Sequence, residues 1–165
     1  MTHATRQLSQ ITTREPSTAP LFVRLPNGLF GRLLRLGLPA GPNVLMTVRG
    51  RKTGEPRTMP IAVPEIDGRR YVIGAYGDVH WVRNLRAAGE ASLRIRGRDL
   101  HVSAHELDRA EATAFFGETL PTYIGRFPWF GRAFARALFG LVGPEVLGDP
   151  ETAAETRPVF ELRAA

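Results

Sequence analysis

The chain contains no cysteine, a single lysine, three tyrosines and two tryptophans in 165 residues. Without cysteine there is no disulfide, no thiolate nucleophile and no Cys-ligated metal, and the redox compartment stays open. No apolar run is long enough to span a bilayer. No Ser nucleophile elbow, Walker loop or zinc-protease motif is present. Residues 1–20 are rich in Thr, Ser and Gln and lack an apolar signal core, so a loose tail and a cytoplasmic location are expected. Nothing resembles a repeat or an interdomain linker, and residues 21–165 are expected to form one domain.

Arginine is what the chain has in quantity. The 22 Lys and Arg against 16 Asp and Glu give a net charge of +6 and a pI near 10.9. Anionic ligands or surfaces are therefore the favoured partners. Near-exclusive use of Arg, with abundant Ala and Gly, suggests a GC-rich genome. The cations are spread along the chain without a recognition helix or an aromatic platform, so nucleic acid is not expected as a partner.

The one lysine falls where cations are densest, in Gly50-Arg51-Lys52-Thr53-Gly54-Glu55-Pro56-Arg57. Residues 44–48 before it are apolar and β-branched and read as a buried strand. Residues 57–63 after it alternate and read as the returning strand. Glycine lets the turn adopt φ > 0 and lets a ligand approach the amides, which can form an anion nest. Arg51, Lys52 and Arg57 add full charge. A solvated basic hairpin tip is the competing reading, and the charge cluster alone does not separate the two.

Elsewhere, residues 21–38 mix Leu, Phe and Val with arginine at helical spacing. They suit a helix packed on the domain or a basic amphipathic helix on an anionic membrane. An Asp67-Gly68 turn leads to a third strand at 71–75, completing an antiparallel meander. Tyr76-Gly77-Asp78 opens onto a short helix over 79–88 that Asp78 could cap. A hairpin follows over 91–97 and 100–107, turning at Arg98-Asp99. Asp108 and Glu111 fit a capping box. Residues 120–128 read as irregular and contain Tyr123. Residues 129–142 show Phe130, Phe134, Ala137, Leu138 and Leu141 at helical spacing, 143–158 read as a polar loop, and 159–162 as a last strand. Trp81 and Trp129 are expected in the core. His101 and His105 share one face of a strand, but no third ligand is in register, so no metal site is assigned.

Two of these stretches resemble a known family. Gly50-Arg51-Lys52-Thr53-Gly54 with Pro56-Arg57-Thr58 and Pro60 is similar to the signature hairpin of the deazaflavin-dependent nitroreductases. Trp81 with Asn84-Leu85-Arg86-Ala87 resembles its second motif. The resemblance covers roughly residues 44–107. It implies a mainly β, α+β fold: a split β-barrel of mostly antiparallel strands with a few flanking helices. It implies binding of coenzyme F-420, an anionic deazaflavin, and hydride transfer to a small planar acceptor such as a quinone or nitroaromatic. Arg51, Lys52, Thr53, Gly54, Arg57 and Pro60 would belong to the cofactor site. Gly74, Ala75 and Tyr76 would lie beside the ring, with His80, Trp81 and Asn84 closing the pocket. Tyr76 and Tyr123 are the candidate proton donors. An FMN enzyme on the same fold and a non-catalytic cofactor or apolar-ligand binder are the alternatives. A homodimer and peripheral contact at the inner membrane face are further expectations.

The shortened stretch from Tyr76 to His80 departs from the family pattern, in which many relatives carry Ser-Lys-Gly-Gly there. The extra apolar length beyond residue 120 leaves the acceptor unassigned.

Overall fold

The structure, a computed structural model, describes residues 43–165. The expectations for the tail (1–20) and for the apolar segment (21–38) lie outside the described residues.

β1 (Asn43–Arg49) and β2 (Pro56–Ala62) pair antiparallel, from Asn43 opposite Ala62 to Arg49 opposite Pro56. β3 (Glu65–Ile66) and β4 (Arg69–Ile73) form a tight hairpin through Asp67 and Gly68. Both turn residues have positive φ (50° and 78°), which a type I′ turn requires. The expected meander does not form, because β4 does not join β2. It pairs instead with the C-terminal strand β7 (Val159–Ala164). Val159, Phe160 and Leu162 are buried on alternating faces of β7, so this strand is covered on both sides and takes an interior place. The resulting seven-stranded antiparallel sheet runs β2-β1-β5-β6-β7-β4-β3.

α1 (His80–Ala88) follows β4 and stops where Gly89 takes the left-handed conformation. Asp78 does not cap it. Val79 is the N-cap, without a side-chain bond, because the Asp78 carboxylate is drawn into ion pairs with Arg83 and Arg86. The hairpin of β5 (Glu90–Ile95) and β6 (Arg98–Glu106) turns at Arg96-Gly97, not at Arg98-Asp99. Asp99 sits within β6 opposite Arg94 and accepts two hydrogen bonds from it, at 2.8 and 2.7 Å.

α2 (Arg109–Ala114) starts on the expected capping box: Glu111 N–H donates to Asp108 and Asp108 N–H donates to Glu111. It continues through a π-helical stretch (Phe115–Thr119) into α3 (Leu120–Gly125), where an irregular segment was expected. Pro121 sits in the first turn of α3, where proline is tolerated, and Leu120 and Ile124 anchor one face. α4 (Trp129–Val142) spans the expected helix. α5 (Glu145–Gly148) and α6 (Pro150–Thr156) replace the expected polar loop. Asp149 caps α6 by accepting from Thr152 N–H, and Val146 and Ala153 bury its otherwise polar neighbourhood.

Two cores result. One gathers Met46, Val48, Val82, Leu85, Leu93 and Phe160 between the sheet and α1. The other gathers Tyr71, Phe115, Phe116, Leu120, Ile124 and Val159 under the C-terminal helices. Trp81 packs half-buried against the first core, but Trp129 is 75% exposed and belongs to neither. Phe130, Phe134, Leu138 and Leu141 on α4 are also exposed, whereas Ala135 of that helix is buried in the second core. No helix among the described residues is long and apolar enough to cross a membrane.

Candidate functional site

The β1–β2 loop, residues 50–55, is closed by its own backbone. Gly50 N–H donates to Glu55 O at 2.8 Å, and Gly54 N–H donates to Gly50 O at 2.7 Å. Thr53 Oγ1 accepts from Glu55 N–H at 3.3 Å, and Gly54 takes φ 71°. A Cβ at Gly50 would stand 3.2 Å from Thr53 Oγ1, so the loop's tightness depends on that glycine.

The loop is tied to α1. Asn84 Oδ1 accepts from Arg51 Nη1 at 2.9 Å and from Arg51 N–H at 3.3 Å. Asn84 is buried, and it is the contact that brings the two sequence motifs together. Lys52 is exposed and, among the described residues, pairs with no carboxylate, and its N–H and that of Thr53 donate to none. Arg57 is exposed and paired with Glu55 at 2.8 Å. The loop thus presents an ammonium, two adjacent amides and the outward edges of two guanidiniums. That donor set fits a phosphodiester and carboxylates.

Around the far side of α1 lies a cleft of about 740 Å³. Tyr76, Asp78, Arg83, Arg86, Glu106 and Arg157 are among the residues lining it. Its cations are matched by acids. Arg86 donates to both Glu106 oxygens at 2.6 Å and to Asp78 at 2.8 Å. The hydrogen bond to Glu106, against partial burial and aided by Asp78, pushes the Arg86 pKa above its ordinary value. Burial opposes ionisation of Asp78, but hydrogen bonds from Arg86 and Arg83 pull its carboxyl below the usual range.

The predicted site residues therefore fall in three places. Arg51, Lys52, Thr53, Gly54 and Arg57 share the loop, with Pro60 half-buried further along β2. His80, Trp81 and Asn84 lie on α1, exposed, half-buried and buried respectively. Gly74, Ala75 and Tyr76 form the start of the β4–α1 loop, with Tyr76 half-buried. A Cβ at Gly74 would come within 3.1 Å of both Gly77 O and Val82 Cγ2, so this junction accepts only glycine without rearrangement. Tyr123 lies on α3, packed edge-on against Phe127 at 4.9 Å between ring centroids, and does not line the cleft. His101 and His105 stay exposed on β6, with His105 3.7 Å from Glu111. Sequence reasoning missed Glu145 and Arg157, which meet in the cleft wall. They sit twelve residues apart in a stretch without periodicity, so no local signal pairs them.

Comparison with known proteins gives one match along the sequence and several in shape. The family described as F420H2-dependent quinone reductase matches residues 21–126. No curated protein matches. Among solved structures, an F420-H2 dependent reductase (FDR-A) is 22% identical, with TM-score 0.46, 74% of this chain covered and 94% of that one. A protein described as a domain-swapped dimer is 21% identical, with TM-score 0.48 and 86% and 97% covered. A Clostridium acetobutylicum protein related to general stress protein 26 of B. subtilis is 14% identical, with TM-score 0.46 and 76% of each chain covered. At those values the shape likenesses do not bear on what this chain binds.

Proposed function

Since the chain belongs to the F420H2-dependent quinone reductase family, it is an oxidoreductase that works with reduced coenzyme F-420, and we propose how its own residues divide that work. The observation that carries the proposal is the Arg51–Asn84 junction, which holds the cationic loop against the helix bearing the second motif. Lys52, the amides of Lys52 and Thr53, and the guanidiniums of Arg51 and Arg57 bind the cofactor's phosphodiester and nearby carboxylates. These donors would serve an FMN phosphate equally well; family membership decides for the deazaflavin.

When bound, the reduced deazaflavin supplies the hydride that, with one proton, converts a quinone to its hydroquinone. Gly74, Ala75 and Tyr76 form the wall beside the ring, and Trp81 shields it from water with its half-buried indole. Tyr76 donates the proton through its phenol to the oxygen on which negative charge develops, and its cleft-side position lets solvent return the proton. Tyr123, the second candidate donor, stands on α3 outside the cleft wall and is the weaker of the two. The acceptor is a planar, apolar quinone, with nitroaromatics as further substrates of the same class.

The exposed α4 stripe supports a second proposal, peripheral attachment at the inner face of an anionic membrane. α4 carries no acidic residue and two arginines, Arg132 and Arg136, beside Trp129, Phe130, Phe134, Leu138 and Leu141. Such a surface suits anionic lipid, in which apolar quinones dissolve. Flotation with anionic vesicles at low salt tests it; a homodimer that stays lipid-free would assign the stripe to a second copy instead.

Fluorescence titration with coenzyme F-420, followed by oxidation of its reduced form by menadione, tests the main reading. Saturable binding and turnover are expected. FMN binding without F-420 binding, or binding without turnover, overturns it in favour of the corresponding alternative.

A further inference from the structure

The part of the chain beyond the family match returns to the loop that carries Tyr76. Within residues 74–79, Gly77 N–H donates to Gly74 O at 2.7 Å and Val79 N–H to Gly77 O at 2.9 Å. Further anchors come from the end of α6 and the start of β7. Gly74 N–H donates to Pro158 O at 2.7 Å, and the Arg157 guanidinium donates through Nη1 to Ala75 O. Thr156 O approaches so closely that a Cβ at Gly77 would stand 3.2 Å from it.

Arg157 is in turn held by Glu145, whose Oε1 accepts from Nε at 2.9 Å and from Nη2 at 2.5 Å. The two side chains are only 16% and 19% exposed. Burial opposes ionisation of Glu145, but its own N–H and the Arg157 guanidinium hold its carboxyl below the ordinary range. Space is kept for the pair: a Cβ at Gly143 would lie 2.7 Å from Arg157 Nη2 and 2.8 Å from Glu145 Oε1. A largely buried ion pair adds little net stability, because desolvation offsets its attraction. Its geometry serves the carbonyl it reaches.

We infer that Arg157 and Glu145 are positioning residues that fix the loop 74–79, and with it the orientation of Tyr76. The inference rests on the assignment of Tyr76 beside the acceptor. The anion loop is held separately, through Asn84 on a different face of α1 from Arg83 and Arg86. Losing Arg157 removes the donor to Ala75 O and lets the loop shift while the anion donors stay in place. Misplacement of a reacting group by about 1 Å costs about 10²-fold in rate.

The test uses Arg157→Met and Glu145→Gln in the full chain. Hydrogen exchange of cofactor-free protein reads the loop directly. Exchange at 74–79 should accelerate by about tenfold or more, the loss of one charge-assisted bond, with β1 and β2 unchanged. With reduced F-420 and menadione, kcat should fall by up to about 100-fold while the cofactor Kd moves less than about threefold. Unchanged exchange at 74–79 in both variants overturns the inference, as does acceleration spread evenly over the sheet. If Arg157→Met does not fold, Glu145→Gln, which keeps an acceptor but removes the charge, carries the test. If the wild-type protein fails to bind F-420, the functional reading falls and the exchange result alone judges the positioning role.

Discussion

Asn84→Ala separates a held anion loop from a merely basic one. Asn84 accepts two bonds from Arg51, and they are unequal. The 3.3 Å contact from the Arg51 amide is long enough to contribute little, whereas the 2.9 Å contact from Nη1 is charge-assisted. Bonds of the second kind contribute about 1.5–3 kcal/mol. Arg51 is exposed, so water takes up its freed guanidinium, and the lower end, about 1.5 kcal/mol, applies. If the loop must be fixed to grip the cofactor, that converts to about tenfold in Kd for coenzyme F-420. Asn84→Asp gives the opposite local effect, strengthening the tether to Arg51 while placing negative charge beside the anion donors. It should also weaken binding, but with a steeper dependence on ionic strength than Asn84→Ala. Fluorescence titration at two salt concentrations reads both variants. Wild-type affinity in Asn84→Ala would refute the reasoning, since the junction would then be structural only.

Lys52→Ala should weaken F-420 binding by about tenfold or more, and the wild-type affinity should itself fall with added salt; unchanged binding would return the loop to a solvated hairpin tip. Tyr76→Phe should slow single-turnover oxidation of the reduced cofactor by menadione by about 10²–10⁴-fold, and more than Tyr123→Phe, with both still binding cofactor. Wild-type rates in both would mean that water supplies the proton. Glu161, buried on β7, has its carboxyl held below the ordinary glutamate value of about 4.5 by the hydrogen bond from Arg163 against desolvation, with help from Arg69. A depressed folded pKa means stability that is present above about 4.5 and lost as pH falls through the folded value. The thermal midpoint should therefore drop on acidification below that point, and drop less in Glu161→Gln.

The sequence resolved most clearly the elements whose cause is local. β1, the Asp67-Gly68 turn, α1 and the Asp108–Glu111 capping box each carry their determinants within a few residues. The failures share the opposite property. β7 takes its interior position because both of its faces find cover, one from the α1 side and one from the C-terminal helices, and neither is visible from residues 159–162 alone. Asp78 looked like a cap because caps are judged by sequence neighbours, but two arginines one and two turns along the helix compete for it. α5 and α6 were hidden because they are short and polar, and they persist through Val146, Ala153 and the Asp149 cap.

The candidate site divides along the same line. The cations of residues 51–57 and the Trp81–Asn84 helix could be read as two motifs, but they are joined where Asn84 accepts from Arg51 across thirty-three residues. The wall around Tyr76 was legible only on its own side. Its other half comes from Glu145 and Arg157, beyond the family match, and their pairing depends on Gly143 leaving a void that only the folded chain reveals. In the proposed division of labour, anion binding rests on residues within the family match, while the placement of Tyr76 draws on residues outside it. Substitutions in the two regions should separate accordingly, the first acting on Kd and the second on kcat.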